Sequence, residues 1–347
     1  MEDNKSQLPL LSLLFIGMGD EFKNFYIKNM KRIIAEYPNI HYHIIEKDFI
    51  EEIKKLKGQH FDIVCAARFT AQYVSLLLQT CPTIKWFHAL AAGIEDFLKV
   101  DELIKNDTII FSNSKGVNSD VLAESGISCM MYFSYHFYSY TQYMQKKEWI
   151  KPTNRILNKK TLLIYGYGSN GISIAKKCKS AFEMKVIGVN RTKRDNVPGK
   201  EYTDELYTVK ELPDDAINRA DFIYATLPSS PETNNIFDKN FFSKMNKEAI
   251  FINIGRGSSV VEDDLADALE KKIIRGAALD VCKTEPLNKD SRLYNISPEN
   301  LLITNHSLCQ VIERTNNFFE CFLENFKSYI KTGKLITFLD KKNKEFY

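Results

Sequence analysis

Two hydrophobic periods take turns along the chain. Leu11–Gly17 is an apolar run, Glu21–Tyr37 is amphipathic and stopped by Pro38, Ile40–Ile45 alternates, and the charged segment Phe49–Lys57 ends at Gly58. Strands at Phe61–Ala66 and Ile84–Phe87, with a helix at Ala71–Gln79 between them, continue the series. This βα alternation predicts a parallel sheet covered by helices on both faces. It then breaks at Ser119–Trp149, which reads as one long helical stretch carrying Tyr132, Phe133, Tyr135, Phe137, Tyr138, Tyr140 and Tyr143. So aromatic a helix reads first as packing, and it also suits a subunit interface. Alternation restarts after Pro152, with strands predicted at Thr161–Tyr165, Lys185–Asn190, Phe222–Leu227, Ala249–Ile254, Gly276–Asp280 and Leu301–Thr304. A final helix runs from about Gln310 to Tyr329. The fold class is α/β, two βα units in series joined by the aromatic helix.

Composition narrows the function. The 347 residues exceed a comfortable single core, in keeping with two domains. Lys plus Arg is 47 against 44 for Asp plus Glu, a net charge of +3 with no basic stripe, which argues against nucleic-acid or membrane partners. The seven cysteines show no CxxC and no metal-ligand spacing, so no metal is expected and a reduced intracellular protein is the reading. Met1–Gln7 lacks the positive start of an export signal, Leu8–Gly17 is far too short for a membrane span, and the final Lys344–Tyr347 matches neither the peroxisomal nor the ER retention signal. The cytoplasm is the expected compartment.

The first chemical signal is Gly166-Tyr167-Gly168-Ser169-Asn170-Gly171, placed between the strand Thr161–Tyr165 and a helix predicted over Asn170–Phe182. In that context Gly166 permits the tight turn, Gly168 lets a pyrophosphate approach, and Gly171 lets helix and strand pack closely. The N–H groups at the helix start then face the phosphates. The next strand ends in Asn190, nineteen residues after Gly171, where a site selective for NAD carries Asp or Glu. Arg191-Thr192-Lys193-Arg194 follow. The missing carboxylate and the three cations favour a 2′-phosphate, so NADPH is the expected cofactor, with NAD possible. A basic solvated turn is the alternative.

The later strands end in Asn253-Ile254-Gly255-Arg256-Gly257, in Leu279-Asp280-Val281 followed by Glu285-Pro286-Leu287, and in Ile303-Thr304-Asn305-His306. In a doubly wound sheet the carboxyl ends of the strands form the ligand crevice. Singly, Arg256 could be a paired loop cation, Glu285 a turn residue and His306 a packed imidazole. Together at one edge of a dinucleotide sheet they form a candidate catalytic set.

These blocks, in this order, resemble the D-isomer-specific 2-hydroxyacid dehydrogenases. The likeness extends through Ala91-Ala92-Gly93-Ile94, Lys115-Gly116-Val117-Asn118, Leu227-Pro228 with Pro231-Glu232-Thr233, Met245 to Val261, Ala277–Val281 and Asp340. It implies a Rossmann cofactor domain (116–309) inserted in a flavodoxin-like substrate domain (1–115 plus 310–347), and a homodimer embraced by the long helical region. It also implies His306 as acid/base, Glu285 as its partner, Arg256 as substrate anchor, and backbone amides at Ala92 and Gly93 for the substrate carboxylate. Ser169, Asn170, Leu227, Pro228, Thr233, Ile254, Gly255 and Asp280 would line the cofactor. The family usually has Pro before the histidine, where this chain has Asn305, and Ser307-Leu308-Cys309 replaces small residues.

The chemistry suits the set. Reduction of a 2-oxo acid needs a hydride from the cofactor and a proton and orientation from the protein. A histidine beside a carboxylate is suited to the proton, and a planar guanidinium to holding carboxylate and carbonyl oxygens. The expectation is an NADPH-preferring reductase of small 2-oxo acids, of the glyoxylate/hydroxypyruvate reductase type. Formate dehydrogenases are disfavoured because they carry Gln where Glu285 stands. A short-form 3-phosphoglycerate dehydrogenase and an NAD(H)-binding corepressor-like scaffold are the alternatives. Substrate side-chain specificity is expected in the loops Arg68–Thr70 and Ala89–Glu95.

Overall fold

A computed structural model describes residues 10–193 and 196–341, with backbone only at Arg68 and Phe69. Arg194 and both chain ends lie outside the described residues. The chain divides into two compact units, the first running to Val117 and resuming at Glu313, the second spanning Asn118–Ile312.

The N-terminal unit alternates β1 (Leu11–Ile16), α1 (Gly19–Glu36), β2 (Ile40–Ile45), α2 (Phe49–Lys55), β3 (Ile63–Ala67), α3 (Val74–Thr80), β4 (Trp86–Leu90), α4 (Asp101–Ile104) and β5 (Ile110–Asn113). Its strands are all parallel in the order β2-β1-β3-β4-β5, the flavodoxin-like arrangement. Alternate side chains of each strand enter opposite cores. Leu14, Val64 and Phe87 meet α2 and α3 residues on one face, while Leu13, Cys65 and Trp86 meet α1 on the other.

The second unit opens with α5 (Ser119–Ser134) and α6 (Phe137–Lys146). The single long helix expected here is in fact two. Tyr135 closes α5, and His136 turns left-handed at φ +52 before α6 begins. Then come β6 (Thr161–Tyr165), α7 (Ser169–Phe182), β7 (Lys185–Asn190), β8 (Glu205–Thr208), α8 (Asp214–Asn218), β9 (Phe222–Ala225), α9 (Lys239–Lys244), β10 (Ile250–Asn253), α10 (Glu262–Glu270), β11 (Gly276–Leu279) and β12 (Leu301–Ile303). The seven strands run parallel in the order β12-β11-β10-β9-β6-β7-β8, the Rossmann order with one strand added at the edge. The last helix, α11 (Arg314–Thr332), begins four residues later than expected and belongs to the first unit, where Phe319, Phe322 and Phe326 are fully buried against Phe15, Tyr26 and Trp86.

α5 lies close on the second sheet because Gly126 has no side chain. A Cβ there would meet the Tyr224 ring at 2.5 Å and Ile174 at 2.8 Å. The Tyr224 hydroxyl, deep in the core, donates to the Leu122 carbonyl at 2.8 Å.

Candidate active site

The strands of the second unit end in register. Ile303, Leu279, Asn253, Ala225, Tyr165, Val189 and Tyr207 form one row across the sheet. Neighbouring strands are about 4.8 Å apart, so the loops beyond that row leave side by side. The sequence-predicted residues Gly166, Asn190, Leu227, Ile254, Asp280 and His306 all sit within three residues of it.

The glycine loop is built as its spacing predicts. Gly166 has φ +95, and a Cβ on it would lie 2.7 Å from the Thr226 hydroxyl oxygen. That hydroxyl donates to the Gly166 carbonyl at 2.9 Å, tying the loop to the end of β9. At Gly171 a Cβ would lie 2.5 Å from the Gly166 carbonyl oxygen, so only glycine lets α7 approach β6 this closely. Around Gly168 nothing among the described residues lies within 4 Å of a Cβ position. This is open room in front of the α7 N-terminus, whose first N–H groups have no partner within the helix. The donors and the cradle fit a dinucleotide pyrophosphate. Asn170 accepts a hydrogen bond from Ser119 Oγ through Oδ1 (2.8 Å), which fixes its side chain.

Asn190 is half-buried at the end of β7, and Arg191, Thr192 and Lys193 are exposed beyond it. Across from them, the loop 228–233 is folded by Thr233. Its hydroxyl donates to the Pro228 carbonyl (2.7 Å) and accepts the Ser230 N–H (2.9 Å). The Ser230 hydroxyl holds the Glu232 carboxyl below its ordinary range, and Arg191 adds to this from the neighbouring loop. Leu227 is buried, and Gly255 lets the next loop lie against it, since a Cβ there would be 2.6 Å from the Leu227 backbone.

Arg256 stands on a turn made by Asn253, which is fully buried at the end of β10. Asn253 Oδ1 accepts the Gly255 N–H at 3.0 Å and Nδ2 donates to the Arg256 carbonyl at 3.1 Å. Gly257 brings this turn against the chain leading to Glu285. A Cβ there would fall 1.9 Å from the Cys282 carbonyl carbon. Glu285 Oε1 accepts the Cys282 N–H (3.1 Å), and Oε2 accepts from His306 Nδ1 at 2.7 Å. A carboxylate there would accept this bond from an N–H at Nδ1. The pair is 35% and 40% exposed, open enough to meet a ligand. Burial pushes the neighbouring Cys282 thiol up to about 12, which keeps it neutral.

Ala92 and Gly93 belong to the first unit, in the half-buried bend after β4. Asn113 Nδ2 donates to the Ala92 carbonyl at 2.9 Å. Under that bend His88 is fully buried, with Nδ1 2.8 Å from Ser112 Oγ, and desolvation pushes its pKa down to about 3.

Sequence reasoning passed over Asn253, Thr226 and Asn113. Thr226 and Asn113 act through hydrogen bonds to backbone atoms of another loop, which only strand register brings within reach, whereas Asn253 closes its own turn, two and three residues on.

Over residues 127–307 the chain matches the model of the D-isomer specific 2-hydroxyacid dehydrogenase, NAD binding domain. It is 33% identical over 259 residues to a probable 2-ketogluconate reductase of Dictyostelium discoideum, covering 73% of this chain and 74% of that protein. Against glyoxylate/hydroxypyruvate reductase B of Salmonella typhimurium it is 28% identical over 254 residues, 72% of this chain and 76% of that one. Among solved structures it resembles a D-isomer specific 2-hydroxyacid dehydrogenase family protein from Aeromonas salmonicida, with TM-score 0.78, 27% identity, and coverage of 96% of this chain and 100% of that one.

Proposed function

The chain belongs to the D-isomer-specific 2-hydroxyacid dehydrogenases, NAD(P)-dependent oxidoreductases, and within them we propose that it is an NADPH-preferring reductase of small 2-oxo acids such as glyoxylate or hydroxypyruvate. The observation that carries this is the His306–Glu285 pair, 2.7 Å apart on the strand-end rim that also presents Arg256 and the open glycine cradle. The names of the Dictyostelium and Salmonella relatives support the substrate class.

When bound, the nicotinamide dinucleotide supplies the hydride. Gly166, Gly168, Ser169, Asn170 and Gly171 would hold its pyrophosphate, and Asn190, Arg191 and Thr192 its adenosine ribose. Leu227, Pro228, Thr233, Ile254, Gly255 and Asp280 would line the cofactor. Glu285 would orient the His306 imidazole through Nδ1, so that Nε2 can deliver the proton to the carbonyl oxygen of the 2-oxo acid. Arg256 Nη1 donates to the Gly255 carbonyl at 2.8 Å, and its planar guanidinium would anchor the carboxylate and carbonyl oxygens of the substrate. Ala92 and Gly93 keep the carboxylate-binding role that the family resemblance implies.

NADPH preference rests on Asn190 and the cations after it, and the homodimer on α5 and α6. Around α6 the apolar side chains Phe137, Met144 and Trp149 are 49%, 79% and 92% exposed, more than a solvated helix end ordinarily carries. The test of the function is a panel assay with NADPH or NADH and glyoxylate, hydroxypyruvate, pyruvate and 2-ketogluconate. Oxidation of NADPH by one of them supports the reading. Dinucleotide binding without turnover of any would favour the scaffold alternative.

A further inference from the structure

We propose that Asp280 is the positioning residue of the proton donor, acting through the loop that carries His306. This rests on the reading of His306 as that donor.

Asp280 is the first residue beyond β11 and is 4% exposed. Its N–H continues the ladder to the Asn253 carbonyl at 2.9 Å, so its own backbone is fixed by the sheet. From that fixed point it accepts four hydrogen bonds out of one short segment. Its carbonyl takes the His306 N–H at 2.5 Å. Its Oδ1 takes the Thr304 hydroxyl at 2.8 Å, the Ser307 N–H at 3.0 Å and the Leu308 N–H at 3.2 Å. Three bonds to its side chain and one to its carbonyl therefore gather the turn 304–308.

The turn needs such a hold. Asn305 and His306 are both left-handed, at φ +53 and +54. Asn visits that region readily, His much less so, and a strained residue persists only where its surroundings over-determine it. Proline, with φ fixed near −65°, is excluded from the conformation of Asn305. The Pro-His order usual in the family thus gives way here to an Asn-His turn, and Asp280 is what fastens it. The consequence falls on the side chain. His306 is about one-third exposed, so packing alone does not fix the imidazole. Its 2.7 Å bond to Glu285 depends on where the backbone points it.

The sequence resemblance places Asp280 against the cofactor, and the two roles separate in experiment. Asp280→Ala, Asp280→Asn, His306→Ala and the Asp280→Ala/His306→Ala double variant are compared by kcat and KM with NADPH. NADPH affinity is read separately by fluorescence titration, and folding by circular dichroism. A positioning role predicts that Asp280→Ala lowers kcat about tenfold or more while NADPH affinity stays within about threefold. Asp280→Asn, which keeps an acceptor oxygen for the three Oδ1 donors, recovers most of that loss. In the His306→Ala background the Asp280→Ala change costs less than about twofold, because residues that act as one unit are not additive. Loss of NADPH affinity at unchanged kcat overturns the proposal, as does a cost that multiplies with His306→Ala. Should Asp280→Ala fail to fold, Asp280→Asn together with Asn305→Gly and Asn305→Pro decides. The glycine variant is expected to stay within about threefold of wild type and the proline variant to fall about tenfold or more, and equal activity of the two overturns the proposal. A His306→Ala enzyme at wild-type rate would instead remove the proton-donor assignment itself, whatever the Asp280 variants do.

Discussion

Replacing Gly168 by alanine adds one methyl group at a point where nothing among the described residues lies within 4 Å, whereas the same replacement at Gly171 drives a methyl to 2.5 Å from the Gly166 carbonyl oxygen. The two variants should therefore fail in opposite ways. For Gly171→Ala the methyl has to displace backbone, an overpacking cost of about 1–3 kcal/mol. At about 2–4 °C per kcal/mol for a unit of this size, the thermal midpoint falls by several degrees. For Gly168→Ala the φ of −105° is open to any residue, and the change in stability should stay within about 0.5 kcal/mol. Its methyl instead stands in the room facing the α7 N-terminus, where a pyrophosphate would accept the helix N–H groups. Losing one or two such charge-assisted bonds at about 1.5–3 kcal/mol each weakens NADPH about 10- to 100-fold or more. Fluorescence titration of NADPH and a thermal melt of each apo variant read both effects. Wild-type affinity in Gly168→Ala would refute the cradle, and an unchanged melt in Gly171→Ala would refute the close helix–strand contact.

Three further outcomes are expected. The double change Asn190→Asp with Arg191→Ala should turn a preference for NADPH, about tenfold in kcat/KM, into one for NADH, and Glu232→Gln should strengthen the NADPH preference by releasing Arg191 from a competing carboxylate; kinetics with both cofactors decide, and an unchanged ratio in the double variant would make the basic turn a solvated one. The His88 imidazole, pushed down to about 3 by burial against an unfolded value of about 6.5, lets the unfolded chain take up a proton that the folded chain refuses, so stability is undiminished above about pH 6.5 and falls toward pH 3 by at most about 1.4 kcal/mol per pH unit. Melts from pH 7.5 to 4.5 should show that slope in the wild type and lose it in His88→Gln, and equal slopes would refute it. Light scattering at micromolar concentration should show a dimer that Trp149→Asp with Met144→Asp weakens, and a wild-type monomer would refute the interface.

Legibility from sequence followed the strength of the local signal. β6 and β7 fall where the apolar runs Thr161–Tyr165 and Lys185–Asn190 place them, because both are central strands buried on two faces. β5 and β8 escaped notice as four-residue strands at the sheet edges, the second half-buried throughout, with too few apolar positions to set a period. The aromatic run 132–143 hid the break at His136, since composition carries no sign of a left-handed residue. Gly166, Gly168 and Gly171 could be given separate steric duties in advance, and the positive φ at Gly166 and the close contact at Gly171 agree with the first and the last. Asp280 could be placed at the rim but not tied to Thr304, Ser307 and Leu308, whose bonds to it span 24 to 28 residues and exist only once β11 and β12 are paired. Arg194, expected beside Arg191, lies outside the described residues.

The most direct measurement of the central claim is single-turnover oxidation of NADPH by glyoxylate or hydroxypyruvate, wild type against His306→Ala, with NADPH affinity measured alongside. If His306, held by Glu285 at 2.7 Å, delivers the proton, the hydride-transfer rate falls about 100-fold or more while NADPH affinity is retained. A His306→Ala enzyme that oxidises NADPH at close to the wild-type rate would contradict the account.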